Sequence, residues 1–130
     1  MSNYNKIIDT IKFNDKGLVP AIAQDSETKQ VLMMAWMNAD ALKETLETNR
    51  MCYYSRSRDK LWRKGETSGQ TQTIKEIMID CDSDSILAIV DQKGVACHTG
   101  RKSCFYKSVD NDNISINQEV IVPPKELYDE

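Results

Sequence analysis

The sequence predicts an α+β domain built mainly on antiparallel sheets, with a few flanking helices. Two observations carry this. Strand-like runs outnumber helical ones, and the helical patterns come early in the chain. Several strand candidates are also separated by short polar turns of hairpin type. The chain of 130 residues suits one domain spanning 1–130. It shows no internal repeat, low-complexity tract or linker.

"NKIIDTI", residues 5–11, reads as a short helix with Ile7, Ile8 and Ile11 on one side. "GLVPAIAQ" and "QVLMMAWM" read as strands around the polar turn "DSETK". "NADALKETLETN" reads as a helix: Asn38 is a suitable N-cap, Asp40 lies in the first turn, and Leu42 and Leu46 lie one turn apart. "MCYYSRSR" reads as a strand, and the basic, glycine-punctuated "DKLWRKGETSGQTQ" as a loop. From Gln72 to Asp82 the pattern is again strand-like. "SILAIV" and "GVAC" flank "DQKG" as a hairpin. The polar tail from Asp110 ends in "VPPKELYDE", expected as surface strand or coil with a frayed end.

The totals exclude several roles. Net charge is −3 and the pI is about 5.2, which gives no argument for nucleic acid or an anionic membrane. Mean hydropathy is −0.54, and no apolar run reaches the roughly 18 residues that a spanning helix needs. "MSNYNKIIDT" lacks the basic and apolar regions of a signal peptide, so a cytoplasmic protein is expected. Four cysteines in a reducing compartment are then free for metal or catalysis rather than paired in disulfides.

Chemistry concentrates in residues 79–106, "IDCDSDSILAIVDQKGVACHTGRKSCFY". If the preceding strand runs on through "DCDSD", alternation puts Asp80, Asp82 and Asp84 on one face and Cys81 on the other. Three converging carboxylates repel one another unless a cation sits between them, and hard oxygen ligands suit Mg²⁺ or Ca²⁺. A solvated acidic edge is the plainer reading of such a run. The glycine and final glutamate of an EF-hand do not follow.

Cys97 and Cys104 are more widely spaced than the cysteines of a structural zinc knuckle. With Cys81 they offer three thiolates, which leaves one zinc position for water, the arrangement of a catalytic site. His98, the sole histidine, fits a fourth ligand, a general base or a packed ring. Cys81 faces away from its neighbouring carboxylates on this reading. One resolution is a site completed by Cys97 and Cys104 of a second chain. Cys52, between apolar and aromatic residues, reads as core.

Arg56, Arg58, Lys60, Arg63 and Lys64 crowd a net-acidic chain, opposed locally only by Asp59. Guanidinium groups suit phosphate, the amides of the Gly65–Glu66–Thr67–Ser68 stretch suit its remaining oxygens, and Trp62 suits stacking on a base. A solvated, salt-bridged face is the alternative, and the P-loop spacing is missing. A zinc-stabilised binding module and a zinc deaminase are rival readings of the thiol set. The deaminase signature is absent.

"NADALKETLET", "YYSRSRDKLWRKGETSGQ", "IDCDSDSILAIV" and "ACHTGRKSCFY" together resemble the phosphoribosyl-AMP cyclohydrolase family, in order, from about Val31 to Tyr106. The resemblance implies an intertwined homodimer with active sites at the subunit interface. It implies one zinc per subunit held by Cys97 and Cys104 of one chain and Cys81 of the other, Mg²⁺ at Asp80, Asp82 and Asp84, and a catalytic role for His98. It implies a nucleotide substrate, 1-(5-phosphoribosyl)-AMP, whose adenine ring is opened by zinc-activated water during histidine biosynthesis. Arg56, Arg58, Trp62, Lys64, Gly65, Glu66 and Ser68 are the expected substrate contacts. Gln70 stands where the family often has His or Asn. The chain has no room for the pyrophosphatase domain that some relatives carry, so the cyclohydrolase step alone is expected.

Overall fold

The computed structural model describes residues 4–127. Helix α1 (Tyr4–Thr10) leads to strand β1 (Val19–Asp25), β2 (Val31–Met37) and helix α2 (Ala39–Thr48). β3 (Cys52–Ser55), β4 (Lys60–Arg63), β5 (Gln72–Ile79) and β6 (Ile86–Gln92) follow, then the hairpin β7 (Lys107–Asp110) and β8 (Asn113–Ile116) and the short helix α3 (Pro124–Leu127).

Six strands form one sheet in the order β4-β3-β2-β1-β6-β5, and β7-β8 stand apart. The class is α+β as predicted, but the large sheet is mixed. β1 and β6 run parallel, with Ala21 opposite Ile86 and Asp25 opposite Val90. Sequence alternation does not carry this information, because the β1–β2 hairpin fills one edge of β1 and leaves the other for a strand from far along the chain.

β1 alternates buried and half-buried residues along its length. Val19, Ala21 and Ala23 meet Leu32, Met37, Ala88 and Val90 in the core, where α2 adds Ala41 and Leu42. The Asn38 side chain accepts from the Ala41 N–H, and Asn49 closes the helix in the left-handed region (φ 64°), as such caps do. Thr45 is buried because its hydroxyl bonds both the N–H and the carbonyl of Cys52. Ile11 is buried just beyond α1, whereas Ile7 is 37% exposed.

Several boundaries differ from the sequence reading. Residues 60–63 form strand β4 rather than loop, with Cys52 opposite Arg63. It is one of the sheet's two outer strands, where charged side chains are tolerated and discourage further pairing. "DQ" completes β6, and residues 94–97 form no strand, so the predicted hairpin there is absent. β5 stops at Ile79, and "DCDSD" is a turn. In the tail, Pro124 occupies the first position of a helix where strand or coil was expected, since its fixed φ suits that place. The frayed end expected at 128–130 lies outside the described residues. Among those described, no helix is long and apolar enough to cross a membrane.

Candidate active site

The turn between β5 and β6 gathers the carboxylates by closing on Asp80. Asp80 Oδ1 accepts from the N–H groups of Asp84 (2.9 Å) and Ser85 (3.2 Å), and its Oδ2 accepts from the Ser85 hydroxyl at 2.6 Å. Ser83 takes φ 63°, which lets the chain double back. The Lys12 N–H donates to the Ser83 carbonyl at 2.8 Å and ties the turn to the N-terminal segment. Asp80, Asp82 and Asp84 are exposed, with ligand oxygens within 4.8 Å of one another. The convergence expected from strand alternation is therefore present, but a turn produces it.

The three groups do not titrate alike. The Ser85 hydroxyl and the amides of residues 84 and 85 draw Asp80 down to about 2. Hydrogen bonding to Asp82 and Asp80 pushes Asp84 up to about 6. Repulsion among three clustered carboxylates, which raises Asp84, is what a divalent cation relieves, so the donor set fits a hard metal. A cavity of about 450 Å³ adjoins the cluster, lined by Asp82, Asp84, Lys12, Leu18, Pro20 and Trp36. No local signal in the sequence pointed to Lys12 or Trp36.

The second centre lies on the loop after β6. The Ala96 and Cys97 N–H groups donate to the carbonyls of Lys102 and Arg101, and the Gly100 N–H to that of Cys97. The Cys104 N–H reaches Leu32 O at 2.7 Å, and the buried Ser103 hydroxyl donates to Val31 O at 2.6 Å, which docks the loop on β2. Cys97 is buried and Cys104 exposed. Desolvation, then the charge of Cys97 and a hydrogen bond with it, push the Cys104 thiol up to about 12. The Thr99 hydroxyl donates to Cys97 Sγ at 3.0 Å, a contact that the sequence reading missed although Thr99 stands inside "CHTG".

Two thiols on one short loop fit a soft metal, which would deprotonate them. Cys81 is exposed beside the carboxylates. Among the described residues it joins no three-membered ligand group with Cys97 and Cys104. One chain thus brings together two of the three expected thiols. His98 is exposed in the turn next to Cys97.

The basic segment divides. Arg56 and Arg58 are exposed at the β3–β4 turn, and the Arg56 guanidinium lies 5.2 Å from the centre of the Trp36 ring. Arg63 is engaged by Glu44 through contacts of 2.6 and 2.8 Å. Trp62 is 41% exposed, with one face toward Tyr53 at 5.4 Å between ring centres. Gly65 and Gly69 have positive φ, and a Cβ on Gly65 would lie 2.6 Å from the backbone of Gln70. Glu66 is exposed and Ser68 half-buried, its hydroxyl accepting from the Gln70 N–H. Lys64 is buried, its ammonium pushed down by desolvation and partly restored by Cys104 and Cys97.

Gln70 has a structural task. Its Oε1 accepts from the Val95 N–H at 2.8 Å, bracing the loop that carries Cys97.

A family model described as phosphoribosyl-AMP cyclohydrolase matches residues 33–106. The chain belongs to the phosphoribosyl-AMP cyclohydrolase family. Relatives named phosphoribosyl-AMP cyclohydrolase include one from Alcanivorax borkumensis, 60% identical over 93% of this chain and 85% of its own length. The relative from Granulibacter bethesdensis is 57% identical over 94% and 96% of the two chains, and that from Halorhodospira halophila 52% over 97% and 89%. In this member of the cyclohydrolase family, the matched segment contains the carboxylate turn, the thiol pair and the basic hairpin.

Proposed function

We propose that this chain, as a cytoplasmic single-domain homodimer, opens the adenine ring of 1-(5-phosphoribosyl)-AMP by hydrolysis of the N1–C6 bond, a step of L-histidine biosynthesis. The observation that carries this reading, in a chain of this family, is the placement of two incomplete centres. Three carboxylates converge on the turn that carries Cys81, and among the described residues Cys81 joins no ligand group with Cys97 and Cys104. A two-fold partner supplying Cys81 completes the thiol set and brings the carboxylates beside it. Exposed Phe105, Val109, Ile114, Ile116 and Ile121 on and around the β7–β8 hairpin support burial against a second copy.

Cys97, Cys104 and the partner's Cys81 would hold zinc, which supplies a water acidified to a pKa of about 7. Asp80, Asp82 and Asp84 would hold Mg²⁺, which neutralises charge beside a substrate phosphate. Arg56 and Arg58 are free to take phosphate oxygens bidentately, aided by amides of the Gly65–Gly69 turn, with Glu66 and Ser68 at its rim. The exposed face of Trp62 offers a plane for the base, and Tyr53 supports its other side.

His98 accepts a proton as the water oxygen bonds to C6. The N1–C6 electron pair then leaves with N1, which takes that proton, while the second water proton passes to the exocyclic imino nitrogen and the water oxygen becomes the carboxamide oxygen. The exocyclic nitrogen stays on carbon.

The test is turnover of 1-(5-phosphoribosyl)-AMP with Mg²⁺, followed by ultraviolet absorbance, before zinc removal, after it, and after zinc is restored. Ring opening that stops without zinc and returns with it is expected. A folded, zinc-loaded dimer that leaves the ring closed overturns the assignment.

A further inference from the structure

β5 starts and β6 finishes at one end of the sheet, where Gln72 stands opposite Gln92. Two loops meet that end. One holds the Gly65–Gly69 turn that the functional reading gives to the substrate, and the other carries Cys97 and Cys104. Gln70 is bonded to both. Its Oε1 accepts from the Val95 N–H at 2.8 Å, two residues before Cys97, and its Nε2 donates to the Ser68 carbonyl at 3.2 Å. The amide can sit only this way round, because an N–H faces one end of it and a carbonyl the other. Each loop also presents a glycine to this residue. A Cβ on Gly65 would strike the Gln70 backbone, and one on Gly94 its side-chain oxygen, so neither loop could come this close with a larger residue. The buried Gln92 adds to the joint, its Nε2 reaching the carbonyls of Lys93 at 2.8 Å and Val95 at 3.3 Å. Bracing the thiol loop needs only the acceptor of Gln70. Its donor, and the glycine of the other loop, are left over by that task.

We propose that Gln70 is a positioning residue that sets the substrate turn against the thiol loop, so that the bound ring is held in register with the metal centre. The proposal rests on the functional reading above. A misplacement of about 1 Å between reacting groups can cost about 100-fold in rate. The Ser68–Gly69 peptide is the point of control, since its carbonyl accepts from Gln70 and its N–H donates to Gly65 O at 2.8 Å. A turn released from Gln70 keeps that internal bond and its groups for the substrate, but loses its fixed distance to the thiols. The cost therefore falls on kcat rather than on KM.

The experiment compares the full chain as wild type, Gln70→Met and Gln70→Glu. Methionine removes acceptor and donor. Glutamate keeps an acceptor for Val95 and sets a carboxylate oxygen against the Ser68 carbonyl. Amide hydrogen exchange is followed in the metal-free chains, and kcat and KM in the zinc-loaded ones. In Gln70→Met the Val95 and Gly69 amides should both exchange roughly 3- to 10-fold faster, since each loop loses one hydrogen bond. In Gln70→Glu the Val95 amide should exchange as in wild type and the Gly69 amide faster. Both variants should lose about 10- to 100-fold in kcat with KM little changed. A residue that only braced the thiol loop would leave Gln70→Glu as active as wild type, and this variant keeps the brace, so it remains the test if Gln70→Met does not fold. Wild-type kcat in Gln70→Glu, a raised KM alone, or a Gly69 amide unchanged in the variants overturns the link. If wild type itself opens no ring, the functional reading falls, and an unchanged Gly69 amide still overturns the link on its own.

Discussion

The Tyr53 hydroxyl donates to Gln72 Oε1 at 2.7 Å, and neither side chain is reached by solvent. Gln72 Nε2 passes the connection to Gln92 Oε1 at 2.8 Å, and Gln92 Nε2 reaches Lys93 O at 2.8 Å at the start of the thiol loop. A buried polar relay thus runs from β3 through β5 and β6 to the loop that carries Cys97. Tyr53→Phe leaves Gln72 Oε1 without this donor in the core. It should cost about 1–3 kcal/mol of stability, read from the denaturant midpoint. A midpoint equal to wild type would show that the relay contributes nothing.

Gly94 has φ 70°, and a Cβ there would lie 1.6 Å from Gln70 Oε1. Gly94→Ala therefore displaces the side chain that accepts from the Val95 N–H. The expected result is a folded protein with loosened thiols: faster modification of Cys97 and Cys104 by a thiol reagent in the metal-free state, and lower zinc content after purification. Unaltered reactivity would mean that the loop tolerates losing its brace.

If the thiol set is shared between subunits, two inactive variants should complement each other. Cys81→Ser and Cys97→Ser homodimers each lack a complete set. A mixed dimer regains one site of its two, so unfolding and refolding an equal mixture should restore about a quarter of wild-type activity. A mixture as inactive as its parents would place all three thiols in one chain or remove Cys81 from the site.

The carboxylate turn predicts a pH effect with a definite sign. Asp84 is raised to about 6, so the folded state holds that proton more tightly than the unfolded state does. Its stabilisation is present below the ordinary aspartate range and is lost as pH rises through about 6. Asp80, lowered to about 2, acts the other way: its stabilisation is present above the ordinary range and is lost only as pH falls toward 2. In a chelator, Asp84→Asn should therefore melt higher than wild type above pH 6, and Mg²⁺ should raise the melting temperature of wild type but not of the variant. A wild type indifferent to Mg²⁺ would leave the cluster a solvated acidic edge.

Much of this was legible in the chain. The α2 cap at Asn38 follows from local backbone chemistry, and the β1 and β2 patterns follow from alternation. The grouping of Asp80, Asp82 and Asp84 was also readable, although for the wrong geometric reason, since period-two spacing serves a tight turn as well as a strand. Residues 60–63 were missed because an outer strand is allowed the charges that mark a loop. The structural task of Gln70 was not legible for a different reason: it comes from Val95, 25 residues along the chain, and no local pattern encodes such a meeting.

The parallel seam between β1 and β6 also sets the order in which the chain assembles. The β1–β2, β3–β4 and β5–β6 hairpins each close over short connections and form early. Pairing Ala21 with Ile86 must wait until the intervening chain is gathered, so the centre of the finished sheet is the last part to shut. Until then β1 and β6 each show an unpaired row of backbone groups, flanked by alanine, isoleucine and valine rather than by the charges that guard β4. Refolding at high concentration should lose material through those two rows, and the loss should grow with protein concentration while the early hairpins form unhindered.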